Sequence, residues 1–154
     1  MTGVIIGVDP GFSGGIARID GLLPPSVDDM PTLPNAKGKT ELNHSALFLL
    51  MDCFGPATGW LEKVGARPGQ GVSSMFRFGQ QVGAIEMAAA ASGHQLRYVT
   101  PAVWKAYFGL SADKGVARGY AMKRFPQLAD QLARVKDDGR AEALLIALYG
   151  KEHP

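Results

Sequence analysis

Read only for apolar and polar positions, the chain alternates short β-branched runs with longer apolar stretches of helical period. Val4, Ile5, Ile6 and Val8 predict a buried strand, ended at Asp9-Pro10-Gly11 by a carboxylate and two turn formers. Residues 13–19 return as a second, partly alternating strand, which places Asp9 near a hairpin tip. Val27 to Met30 predict a short third strand limited by the surrounding prolines, and residues 34–40 a polar loop. Asn43 is an N-cap type of residue before the apolar run 46–51, a buried helix stopped at Gly55-Pro56. Residues 60–64 read as a brief strand, and residues 67–71 as a basic, glycine-containing loop. Ser73 or Ser74 can cap an alanine-rich helix reaching about Ser92 and closed by Gly93, with another strand over 95–99. Pro101 suits the first turn of a helix, and a second, basic helix runs from about Lys114 to Phe125. In the last segment Ala141, Leu144, Leu145 and Leu148 make an apolar stripe at i, i+3, i+4, i+7. Strands interleaved with helices predict an α/β domain.

Composition narrows this picture. A length of 154 residues suits one domain, spanning 1–154, and 46% apolar against 19% charged residues indicates a folded chain. No apolar run nears the roughly 18 residues that cross a bilayer, and the first residues lack a signal-peptide pattern; no membrane association and a cytoplasmic location are the expectation. The single cysteine, Cys53, has no internal disulfide partner and is expected to be a small core residue.

Net charge is only +2, but it is unevenly distributed. Residues 1–62 carry seven acids against three bases, while residues 97–136 carry eight bases against two acids. An acidic site beside a basic surface suits a metal-dependent enzyme acting on a polyanion; the competing reading is a solvated helix face with incidental charge.

The acids supply the candidate chemistry. Asp9 ends a strand; its plain alternative is a turn-supporting Asp. Glu62 lies inside an apolar strand, unfavourable unless paired, protonated or cation-bound, unless that strand is an edge with Glu62 facing solvent. Asp138 and Glu142 are four apart and share a helix face, beside the apolar stripe. Asp137 is turned roughly 100° from Asp138, which leaves it an N-cap role, and acids in a first turn also complement the helix dipole. Oxygen ligands without His or Cys suit Mg²⁺ or Mn²⁺ rather than zinc. Two such ions about 4 Å apart activate a water and stabilise the leaving oxygen of a phosphodiester. The residues reach a candidate two-metal site without choosing its substrate.

The order of these motifs, strand–Asp-Pro-Gly–hairpin, internal Glu, terminal acidic helix, is that of the RNase H-like nuclease fold. Within it the chain resembles the RuvC-like Holliday junction resolvases, most closely their compact phage-type branch. Five stretches carry the resemblance: Ile6-Gly7-Val8-Asp9-Pro10-Gly11, Trp60-Leu61-Glu62, Arg67 to Ser74, Pro101-Ala102-Val103-Trp104-Lys105, and Asp137 to Ala147. It implies a mixed central sheet with an antiparallel first hairpin, flanked by helices. It also implies a homodimeric, Mg²⁺-dependent endonuclease that binds a four-way DNA junction and cuts two opposed strands. By motif position Asp9 and Glu62 take the first two catalytic and metal-binding places and Glu142 the last. Many members space the final two acids three apart, where this chain has Gly139; Asp138 is assigned instead, with Asp137 its rival.

Candidate phosphate contacts are Lys105, Lys114, Arg118 and Lys123 in the basic segment, with Arg67 and Arg77 closer to the acids. Relatives often place a junction-opening aromatic three residues after the catalytic Glu, where this chain has Gly65; Phe76 or Phe78 can substitute, against a core role for each. The surface proposed for pairing is the helix 74–92, with its glycines, alanines, Met75, Phe76 and Met87. A sugar-kinase or actin-like ATPase also begins with a strand–Asp–glycine hairpin, but this length leaves no room for its second phosphate hairpin and adenosine motif. Another RNase H-fold nuclease, cutting flaps or RNA–DNA hybrids, is the alternative; a DNA-binding protein with a degenerate site would lack acids, and none of the four is missing.

Overall fold

The computed structural model describes residues 3–154. Strand β1 (Ile5–Asp9) pairs antiparallel with β2 (Gly15–Ile19), and β2 with β3 (Ser26–Asp29). A small two-stranded sheet follows, β4 (Thr32–Pro34) with β5 (Thr40–Leu42), and then helix α1 (His44–Cys53). Strand β6 (Thr58–Glu62) lies parallel to β1, and β7 (Gln95–Val99) parallel to β6, on either side of helix α2 (Val72–Ala91) in sequence. Helices α3 (Pro101–Tyr107), α4 (Lys114–Arg124), the one-turn α5 (Ala129–Leu132) and α6 (Asp138–Glu152) complete the chain. The main sheet has the order β3-β2-β1-β6-β7, so the expected α/β architecture with an antiparallel first hairpin is what forms.

Period-2 alternation divides the sheet's faces. Ile6 and Val8 of β1, Ile16 of β2 and Leu61 of β6 join a core with Leu47 and Met51 of α1 and Ile85 and Ala89 of α2. Ala17, Ile19, Trp60 and Val99 join the other core, built around α6 with Trp104, Ala117 and Ala121. Helix α6 is more than amphipathic: Gly139, residues 141–148 and Gly150 are all buried, because the sheet covers one side and α4 the other. Close approach depends on glycine. A Cβ on Gly7 would overlap the Ala143 carbonyl and the Ala147 amide, so α6 lies directly on the backbone of β1.

Several expectations change. Cys53 is exposed rather than in the core, its thiol donating to the Leu50 carbonyl at 2.9 Å as α1 ends. The expected loop at 34–40 is instead the turn of the β4–β5 hairpin, organised by Asn35 Oδ1, which accepts from the amides of Lys37 and Lys39. Helix α2 starts earlier than the serines imply: its N-cap is Gly71 and no side chain caps it. Asn43 does cap α1, accepting from the Ala46 amide at 3.1 Å.

Candidate active site

The parallel register that pairs Val8 with Leu61 makes Asp9 and Glu62 the next residues out on neighbouring strands. Alternation points both toward the α6 face, where Glu142 stands in the second turn of that helix. Strand register and helix placement bring the three carboxylates within electrostatic reach of one another. Burial, then the charges of Glu62 and Glu142, pushes the Asp9 carboxyl up from 3.8 to about 7, although the Gly11 amide approaches Oδ1 at 3.4 Å. Burial also raises Glu62, opposed by the Trp104 indole and by the Lys105 and Lys114 charges, with Glu142 adding to the rise.

Two partners hold these acids. Trp104, fully buried, donates its Nε1–H to Glu62 Oε1 at 3.0 Å, and Lys105 Nζ reaches Glu142 Oε1 at 3.2 Å. Glu62 and Glu142 are themselves nearly inaccessible, at 8% and 5% exposure, so neither is a solvated edge residue. Trp104 was not anticipated as a site residue. Two signals pointed to it: its stretch, Pro101 to Lys105, is one of those carrying the resemblance, and a buried indole N–H needs an acceptor.

Asp137 and Asp138 have separated roles. The Asp137 side chain is 1% exposed, takes the Arg134 guanidinium at 2.9 and 3.0 Å and accepts from the Arg134 amide. Those bonds hold its carboxyl below the usual range. It stands at the N-cap position of α6 but caps nothing; it closes the preceding 3-10 turn (Val135–Asp137) instead. Asp138 is one turn before Glu142 and pairs with Arg118 Nη1 at 2.5 Å. The three-residue spacing of the resembled family is closed to this backbone, because a Cβ on Gly139 would overlap the Ser13 carbonyl and the Gly14 backbone. On this helix the neighbouring carboxylate is Asp138, one residue earlier.

The basic residues divide. Lys105 and Arg118 turn inward onto Glu142 and Asp138. Lys114, exposed at the first turn of α4, brings its charge toward Glu62, and Arg67 stands in the exposed loop before α2. Arg77 lies over the Phe12 ring, 5.1 Å from its centroid, and donates to the Thr40 carbonyl at 2.6 Å. Lys123 is not gathered with them. It lies nine residues from Lys114, about 13 Å along α4 and on nearly the opposite face, next to Arg124, which reaches Glu152 at the far end of α6. On α2, Phe76 is 67% exposed, against a core role, while Phe78 is half-buried.

The donor chemistry of the acids is all-oxygen and repulsive, which is what a hard divalent cation relieves. As arranged, no three His, Cys, Asp or Glu side chains among the described residues are gathered closely enough to hold a metal ion. Lys105 and Arg118 supply the neutralising charge on Glu142 and Asp138.

No protein-family model matches the chain, and no curated protein sequence does. Solved structures do. T. thermophilus RuvC in complex with Holliday junction substrate matches with a TM-score of 0.61 at 19% identity, over 94% of this chain and 90% of that one. Another Thermus thermophilus RuvC structure matches at 0.56 and 19%, over 97% and 96%. The yeast mitochondrial Holliday junction resolvase Ydc2 aligns at 0.48 and 13%, over 97% of this chain and 78% of that one. At these identities the likeness is one of fold: the chain has the mixed, helix-flanked sheet of RuvC.

Proposed function

We propose that this chain is a divalent-metal-dependent endonuclease of branched DNA, resolving four-way junctions by paired phosphodiester hydrolysis. The observation that carries the reading is the convergence of Asp9, Glu62 and Glu142 from two strand ends and one helix, in a fold shared with RuvC. That a RuvC of this fold is described with a Holliday junction substrate supports the substrate class.

Asp9, Glu62 and Glu142 would hold Mg²⁺, or Mn²⁺ in its place, with Asp138 as the fourth ligand of a two-ion site. Held by these residues, such ions would supply an activated water and positive charge for the leaving oxygen. The chain's own residues set the frame. Trp104 fixes the Glu62 carboxylate through its buried indole. Lys105 and Arg118 sit on the acids and are the nearest cations for a phosphate to recruit when they let go. Lys114 and Arg67 extend positive charge outward, contacts that position a backbone without reading bases.

One chain carries one such cluster, so two matched cuts call for a homodimer with a two-fold axis. Helix α2 presents the surface: Val72, Phe76 and Met87 are exposed, and Gly79 and Gly83 face open space. A cytoplasmic location is part of the same proposal. The test is cleavage by purified protein with Mg²⁺ on a synthetic four-way junction beside duplex, flap and RNA–DNA hybrid. Paired, symmetric cuts on the junction support the reading, and preferential cutting of flap or hybrid replaces it with another nuclease activity.

A further inference from the structure

The chain has two tryptophans, both buried, and their indole N–H groups end differently. Trp60 Nε1 meets no acceptor among the described residues, so this core tolerates a buried indole without one. Trp104, fully buried, gives its N–H to Glu62 Oε1 at 3.0 Å. Packing alone does not require that bond, and it ends on an acid of the candidate site.

The local backbone directs it there. Val99, the last residue of β7, lies opposite Glu62, and its carbonyl accepts from the Lys63 amide at 2.8 Å. Helix α3 starts two residues later at Pro101, so its first turn stands beside the end of β6. Successive helical side chains diverge by about 100°, which sends Trp104 to Glu62 on the sheet and Lys105 to Glu142 on α6. The Lys105 ammonium also lies over the Trp104 ring, 5.2 Å from its centroid. The indole is thus held at its edge by Glu62 and on its face by a cation. Its orientation is fixed, and with it the orientation of the Glu62 carboxylate.

A carboxylate has two oxygens, and one that accepts a fixed N–H is less available to a cation. Glu62 then offers mainly its other oxygen. Mg²⁺ and Mn²⁺ suit single-oxygen carboxylate ligands in a strict octahedron, whereas Ca²⁺ takes more oxygens and often both from one carboxylate. We propose that Trp104 is a positioning residue that makes Glu62 a one-oxygen ligand, favouring a small octahedral cation over Ca²⁺. The inference rests on the metal-dependent reading above.

The experiment replaces Trp104 by benzothienylalanine, inserted at that position alone, which keeps the ring's shape and face and puts sulfur in place of the N–H. Binding of Mn²⁺ to DNA-free protein is followed by the loss of its free-ion resonance signal, and binding of Ca²⁺ by competition. Removing a hydrogen bond behind a metal ligand should weaken Mn²⁺ roughly tenfold. Ca²⁺ should weaken less or tighten, so the ratio of the two affinities falls. In a Glu62→Gln background the same replacement should leave that ratio unchanged. A second measurement leaves position 104 intact: Mg²⁺ should shift the tryptophan emission of wild type and fail to shift that of Glu62→Gln. Equal losses for both cations, unchanged affinities, or emission indifferent to Mg²⁺ overturn the role of Trp104 and leave the metal-dependent reading standing. A wild type that takes up neither cation overturns both.

Discussion

Helices α6 and α2 have similar compositions, both rich in alanine and glycine, and the sheet lies between them; yet they have opposite surroundings. In α6 the glycines are closed in, Gly139 against the Ser13–Gly14 backbone and Gly150 against the Trp60 ring. In α2 Gly79 and Gly83 have nothing near them, and Val72, Phe76 and Met87 stand in solvent. Small residues in α6 bring a carboxylate-bearing helix onto a strand that ends in a carboxylate. The same residue types in α2 leave a surface open to solvent. Composition alone cannot distinguish a close contact already made from one left open.

The sharpest test is at the crowded side. Asp9→Asn should reduce Mg²⁺-dependent junction cleavage at least about a thousandfold while binding is kept or tightened, since a negative charge facing phosphates is gone. Loss of binding together with cleavage would make Asp9 a structural residue. The same substitution has a signed effect on stability. The folded Asp9 carboxyl is held near 7 against an ordinary 3.8, so its contribution is full below about pH 4 and is lost as pH rises to about 7. Metal-free protein should therefore weaken over that window by at most about 4 kcal/mol, and Asp9→Asn should flatten the decline. Denaturant midpoints from pH 4 to 8 measure it; parallel curves for the two proteins would show that the cluster is not strained.

Next in size is Gly139→Ala. Its methyl has to displace the backbone of the β1–β2 turn, so a loss of about 3 kcal/mol or more is expected in chemical denaturation. A cost below about 1 kcal/mol would mean that α6 can slide, and would reopen the family spacing at this position.

The neighbouring acids follow. Asp137→Asn breaks a buried, charge-assisted network and should cost roughly 1.5–3 kcal/mol of stability, while folded protein still cleaves. This exceeds the cost of a lost cap, because the side chain serves Arg134 and not the helix N-terminus. Its pH sign is opposite to that of Asp9: the depressed Asp137 carboxyl stabilises at neutral pH and ceases to as pH falls through its range. Asp138→Asn should impair cleavage, and because it leaves the largely buried Arg118 without its carboxylate it should also cost some stability. Equal activity for both variants would leave three carboxylates as the whole centre.

What could be read beforehand follows from how local each cause is. Val4 to Gly11 encode a buried strand and its turn within a few residues, so the position of Asp9 was legible. Asn43 and Pro101 announce their helices by side-chain chemistry alone. The three-residue strands β4 and β5 carry no alternation to read, and the Asn35 turn between them acts through one side chain. The site was half legible. Glu62 and Glu142 stood out as acids in apolar settings, but Trp104 and Lys105 meet them across 42 and 37 residues, and Arg118 meets Asp138 across 20. Sequence spacing has no information on such meetings. Arg118 and Lys105 therefore read as outward phosphate contacts rather than partners of the acids, and Gly139 as a missing acid rather than a contact.

The smallest effects are expected on the open side, and they decide what α2 is for. Ala88 is only 8% exposed, so Ala88→Glu would disturb the core, whereas Met87 and Gly83 face outward. Gly83→Ala adds a methyl where nothing lies within 4 Å and improves helix propensity. The monomer should gain about 0.5–1 kcal/mol. If this face pairs with a second copy, that methyl intrudes where two helices approach. Sedimentation at micromolar concentration should then show weaker association for Gly83→Ala and largely monomer for Met87→Glu, each with unchanged or higher unfolding midpoints when dilute. Stability and association moving in opposite directions is a pattern that a purely solvated helix cannot produce. Gly83→Ala that is more stable and equally dimeric would move the interface off α2, and a wild type monomeric throughout would remove the pairing itself.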